Sequence, residues 1–144
     1  SMSVSRDINA WEGRWPLNTY ARDMDRSKLS PTAQERLAQA ETMTQEEFTG
    51  LLARREEIRR IYATLKSGFD FCMTLSATGA APKGIESTGN PVFTVPTSLL
   101  GVPTVTLPVL AAEGLPLGLQ LIGFRDEDAA LFTGAGAVEA LWSR

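Results

Sequence analysis

The 144 residues amount to about one ordinary domain, and 43% apolar with 22% charged side chains excludes wholesale disorder. A net charge of -3 argues against nucleic acid or an anionic membrane surface as a partner, since both draw on a basic excess. Histidine is absent, which excludes a Ser-His-Asp triad, a Cys-His pair and an HExxH zinc site within this chain, and the single cysteine excludes an internal disulfide and fits a reducing, cytoplasmic setting.

Residues 1–27 read as a lead-in, extended or helical, with Ser1-Met2 as the remnant of a cleaved tag. Trp11, Trp15, Pro16, Leu17 and Tyr20 cluster there without a strict period, so helix and tight turn both stay open, and the tryptophans are expected to anchor packing. Ser30-Pro31 supplies an N-cap and a first-turn proline, which predicts a helix over 31–42. Thr44 and Glu47 have capping-box spacing. Behind them Phe48, Leu51, Leu52, Arg55, Ile58, Ile61, Tyr62 and Leu65 recur at steps of three and four, predicting a helix over 45–66 that stops at Gly68.

Beyond residue 67 the period changes and charge thins out: Lys83, Arg125 and Arg144 are the only basic residues there. The apolar run 69–75 predicts a buried strand, and 79–91 a loop rich in Gly, Pro, Ser and Thr. Residues 92–100 stay open between helix and strand. Strands are predicted near 104–109 and 117–123, joined by a hairpin around Gly114. A helix over 127–142 follows, capped by Asp126 or Asp128, with Leu131, Ala135, Val138, Leu141 and Trp142 on one stripe. No apolar run approaches the roughly 20 residues of a bilayer span. The reading is one α/β unit with a helical front and a sheet-forming back.

Most candidate chemistry has a plainer explanation. Arg54, Arg55, Arg59 and Arg60 interleave with Glu46, Glu47, Glu56 and Glu57 at helix-neighbour spacings, as i,i+4 pairs on a solvated helix face. Gly134-Ala135-Gly136 lies inside a helical stripe and has Glu139 where a dinucleotide loop needs its third glycine. Cys72 reads as a buried, inert thiol. Lys28, Lys66 and Lys83 read as surface residues, and neither a metal site nor a cofactor is expected.

The stretch from Gly89 carries more. Gly89-Asn90-Pro91-Val92-Phe93-Thr94 is followed by Leu100-Gly101-Val102-Pro103 running to Pro108, and then by Gly114-Leu115-Pro116-Leu117-Gly118-Leu119-Gln120-Leu121-Ile122-Gly123. These segments resemble the C-terminal third of the amidase signature family, over roughly residues 28–142. The resemblance implies an α/β fold, the C-terminal part of a mixed β-sheet covered by helices. It implies hydrolysis of carboxylic amide C–N bonds through an acyl-enzyme, with a small amide as substrate. It implies a substrate-facing loop, so that Asn90, Phe93 and Thr94 are the expected substrate-binding residues. An acidic residue common in the family is Asn90 here, and an asparagine common after the phenylalanine is Thr94. The family's serine nucleophile, second serine and lysine base belong to its N-terminal two-thirds. No such Gly/Ser-rich segment occurs here, so no catalytic residue is assigned and the chain alone is expected to be inactive.

Independently of the family, Gln120 is a polar residue in a buried strand whose amide must find partners, which makes it a scaffold clamp. Gly118 is expected to admit a close neighbour. A strand edge and apolar face left uncovered would favour a homo-oligomer, or association with the missing N-terminal part, with Val105, Leu107, Leu119 and Leu121 exposed and no Lys or Arg guarding 99–123. The alternative reading is a non-catalytic interaction module that pairs through that edge.

Overall fold

A computed structural model describes residues 2–142. They form two compact units, divided between Glu57 and Ile58, where the sequence pattern predicts a single one.

The first unit is helical. Helix α1 spans Met2–Asp23, α2 spans Pro31–Thr42, and α3 spans Gln45–Ala63, with the unit boundary falling inside α3. The lead-in is therefore a helix of 22 residues, although Pro16 sits inside it and removes one backbone donor. Tertiary burial compensates. Ser5, Ile8 and Ala10 of α1 are buried, as are Leu37 and Ala40 of α2, and the small side chains let the two helices approach. Leu37 has no exposed surface, a burial that stabilises by about 1.5–3 kcal/mol. Trp11 stacks on Phe48 with ring centroids 5.0 Å apart, and the Arg14 guanidinium lies 3.8 Å over the same indole. Trp15, expected to anchor packing, is instead 77% exposed.

Local sequence chemistry sets the helix starts. The Ser30 hydroxyl accepts from the Ala33 amide at 3.3 Å, and Pro31 occupies the first turn. The Thr44 hydroxyl accepts from the Glu47 amide at 3.2 Å, while the Glu47 carboxylate accepts from the Thr44 amide at 2.7 Å, closing the capping box. Those bonds to Thr44 hold the Glu47 carboxyl below its ordinary value. On α3, Arg54 and Glu57 pair in the open, as expected of a solvated face, whereas Arg55, which pairs with Glu56, is only partly exposed.

The second unit contains the sheet. Strand β1 spans Cys72–Leu75, helix α4 spans Val95–Leu100, strand β2 spans Thr104–Ala112, strand β3 spans Leu115–Ile122 and helix α5 spans Asp128–Trp142. The strands are antiparallel in the order β1-β3-β2. The loop joining β2 to β3 is only Glu113-Gly114, and both residues have positive φ (53° and 77°), which gives the twist-matched hairpin turn. A register shift between Leu107 and Leu110 marks a bulge at Pro108-Val109, where proline has no amide to donate.

The open segment at 92–100 is helical: a single 3-10 turn over Pro91–Phe93 leads into α4. Gly101, at φ 65° in the left-handed region, ends α4 by donating its amide to the Thr97 carbonyl. Helix α5 begins at Asp128, with Asp126 just before it at φ 61°, so neither aspartate stands at the cap position as expected.

Cross-strand partners share a face and alternate residues point to opposite faces, so the register divides the sheet. On one face Leu107 and Leu121 join Leu131 and Ala135 of α5 in a buried cluster, with Val105, Leu119 and Val138 packed around it. Helix α5 thus covers the residues expected to be exposed: Leu121 has no accessible surface and Leu107 retains 7%. The stripe of α5 is shorter than expected, because Leu141 and Trp142 are exposed. The opposite face carries Thr74, Ser76, Thr106, Gly118 and Gln120.

Candidate substrate-facing cleft

A cleft of about 360 Å³ opens beside the polar face. Ser76 to Pro82, leaving β1, form one wall, Thr88 to Pro91 with Thr94 form the other, and Pro116, Leu117 and Gly118 of β3 contribute to its lining. Asn90 and Thr94 therefore border the cleft, whereas Phe93 does not line it.

The expected site loop is shaped by its own short-range bonds. Gly89 adopts φ 91°, a region open to glycine at little cost, and its amide donates to the Ser87 hydroxyl at 3.1 Å. The Asn90 side-chain oxygen accepts from the Val92 amide at 3.1 Å, capping the 3-10 turn. The Thr94 amide donates to the Pro91 carbonyl at 3.1 Å, and its hydroxyl donates to that carbonyl at 3.3 Å. The Thr94 carbonyl accepts from the Thr97 hydroxyl at 2.7 Å, tying the loop to α4.

Two residues of β3 complete the arrangement. Gln120 is 3% exposed, and its amide nitrogen donates to the Phe93 carbonyl at 3.1 Å, which is the clamp expected of it. Gly118 leaves room for its neighbours: a Cβ built there would lie 2.3 Å from Thr106 Cγ2 and 2.4 Å from Ser76 Oγ. Ser76 carries no signal in the sequence, where it simply ends an apolar run. Its place on the cleft follows from the β1–β3 pairing, in which its amide donates to the Gly118 carbonyl at 2.9 Å.

Elsewhere in this unit the chemistry is structural. The Tyr62 hydroxyl lies 3.1 Å from the carbonyls of both Ile122 and Gly123, to which it donates, so it fastens the end of β3. Burial, then the neighbouring Cys72 thiol, pushes the Tyr62 phenol above its ordinary value. Cys72 is half-buried rather than buried. Lys66 is ion-paired with Glu127 at the rim of an apolar groove lined by Phe69, Phe71, Phe124 and Val138. Among the described residues no group of three His, Cys, Asp or Glu side chains could hold a metal ion, and no helix is long and apolar enough to cross a membrane.

No family model matches the chain. A glutamyl-tRNA(Gln) amidotransferase subunit of Parvibaculum lavamentivorans is 39% identical over 93 residues, a match covering 59% of this chain and 19% of that protein. The crystal structure of an amidase superposes with a TM-score of 0.73 and 26% identity, covering 94% of this chain and 35% of the amidase. A bacterial aryl acylamidase of the amidase signature family shares the fold at a TM-score of 0.71 and 15% identity, covering 90% of this chain and 31% of its own. The chain thus spans about a fifth of the first of these and about a third of the two solved structures. In the hairpin motif on β2 and β3 and in a superposition over nearly its whole length, the chain is similar to a partial region of amidases, and it shares the fold of the amidase signature enzymes.

Proposed function

We propose that the chain is the C-terminal portion of a hydrolase that cleaves carboxylic amide C–N bonds through an acyl-enzyme, and that residues 88–94 form one wall of its acyl pocket. The observation that carries this reading is the convergence of Asn90, Thr94, Ser76 and Gly118 on one cleft beside the polar sheet face. Asn90 and Thr94 offer neutral hydrogen-bonding groups to a small amide, and Phe93 contributes by holding the loop down. Acyl transfer needs nucleophile, base and oxyanion donors converging within about 3 Å. We assign the serine, second serine and lysine to the N-terminal part of the parent, with which this portion associates. On its own the portion is catalytically silent. The amidotransferase name of the relative from Parvibaculum lavamentivorans supports a carboxamide as the bond acted on.

Two assays test the proposal. The purified chain is expected to leave simple amides and aryl esters at their background rate of hydrolysis; turnover that vanishes on Ser76→Ala, Ser87→Ala or Ser98→Ala would overturn the silent-portion reading. In the parent enzyme, Asn90→Ala and Thr94→Val are expected to shift KM and substrate preference. Unchanged specificity in both variants would leave the loop a structural element only.

A further inference from the structure

We infer that Gln120 is a positioning residue: a single side-chain tether from the central strand sets where the 88–94 loop stands over the cleft, and so governs substrate specificity without touching substrate. The specificity clause rests on the proposed role of the loop; the tether stands on geometry alone.

Apart from this tether, the hydrogen bonds of residues 88–94 are short-range, running to Ser87, among Asn90, Pro91, Val92 and Thr94, and onward to Thr97 and Ser98. Such bonds fix the shape of the loop but not its position. Among the described residues, one hydrogen bond joins the loop to the sheet, that from the Gln120 amide nitrogen to the Phe93 carbonyl, across 27 residues of chain. The donor is rigidly placed. Gln120 lies on the middle strand, opposite Thr74 of β1 and Thr106 of β2, and is 3% exposed. The acceptor is also well chosen, because Phe93 lies between Asn90 and Thr94, two of the loop residues that border the cleft. A shift at Phe93 therefore moves both. A buried glutamine at this point is costly unless its amide is satisfied, and a residue of similar length without a donor would leave the Phe93 carbonyl with no sheet partner.

Hydrogen exchange on the purified chain tests the tether without substrate or activity. In Gln120→Met, which keeps the length of the side chain and removes the donor, protection at the Val92, Thr94 and Ser98 amides is expected to fall about tenfold, the net worth of one hydrogen bond, while the β2 and β3 amides hold theirs. In Gln120→Glu an ionised carboxylate cannot donate, but a protonated one can. Burial raises the pKa of such a carboxyl, so loop protection relative to wild type is expected to be lost near about pH 8 and recovered near about pH 5. Unaltered loop protection in both variants would overturn the inference. So would a loss spread evenly over β2 and β3, which marks a packing residue, or a loss in Gln120→Glu that does not recover at low pH, since a packing defect does not titrate. Failure here leaves the substrate-facing reading of the loop standing, because that reading falls only if Asn90→Ala and Thr94→Val leave specificity unchanged.

Discussion

The two faces of the β1-β3-β2 sheet are built on different principles. One is closed by α5 through Leu107, Leu121, Leu131 and Ala135, an apolar seal that needs volume and little direction. The other presents Ser76, Thr106 and Gln120 around Gly118, where a single atom too many would collide and one donor holds a loop. Stability thus resides mainly on the α5 side, and the tighter steric and hydrogen-bond constraints lie on the cleft side. Adjacent residues of one strand, Gln120 and Leu121, serve the two purposes.

The apolar seal is most vulnerable at Leu121. Leu121→Ala is expected to destabilise by about 2–5 kcal/mol, the cost of emptying a fully enclosed leucine site, and urea unfolding measures it. A loss well under 1 kcal/mol would mean that α5 is not the principal seal. On the other face, Gly118→Ala introduces a methyl 2.3 Å from Thr106 Cγ2 and 2.4 Å from Ser76 Oγ, with an expected cost of about 1–3 kcal/mol and altered amide shifts at both neighbours. Combining it with Thr106→Ser should recover part of that cost. Tyr62→Phe, at the end of β3, is expected to cost about 1 kcal/mol by leaving the Ile122 and Gly123 carbonyls without their shared donor.

Tyr62 also gives a pH signature. Its folded pKa lies above the ordinary phenol value of 10.0, chiefly through burial. Its contribution is therefore fully present below pH 10.0 and is lost as pH rises, because the unfolded phenol ionises first. Unfolding midpoints compared between wild type and Tyr62→Phe above pH 10.0 should show a steeper fall in the wild type. The smallest expected effect is a fading of the Thr44–Glu47 cap as pH drops below the ordinary glutamate range, since a depressed carboxyl contributes above that range and loses its contribution as pH falls through the folded pKa. Glu47→Gln, which cannot titrate, should remove that acid dependence in circular dichroism.

Elements with local signals were legible in the residues. The Ser30 cap, the Thr44–Glu47 box and the hairpin glycine each state their geometry within four residues, and α2 spans the predicted 31–42. Gln120 was legible as a clamp, because a buried amide implies a partner, but nothing in the sequence says that the partner is the Phe93 carbonyl. Helix α1 was not legible, since Gly13, Pro16 and an irregular apolar pattern hide a helix held by packing on α2. The exposure expected at Leu107 and Leu121 failed for a related reason: whether a strand face is covered depends on where a later helix docks. Of the candidate site, Asn90 and Thr94 were found through motif resemblance, whereas Ser76 reaches the cleft only through strand register.

Pro108 has a consequence for self-assembly. Strand β2 is one rim of the sheet, and its uninterrupted register with β3 runs only from Thr104 to Leu107 before the shift. A proline has no amide to offer an incoming chain, and the bulge beside it twists the rim away from flatness. A fibril grows by adding flat strands in register at a 4.7–4.8 Å repeat, and about six or seven proline-free residues are its usual seed. The Leu99–Gly123 stretch, which no charged base protects, thus carries its own interrupter at the middle of β2, and Pro108→Val is the change that would turn a short rim into a continuous template.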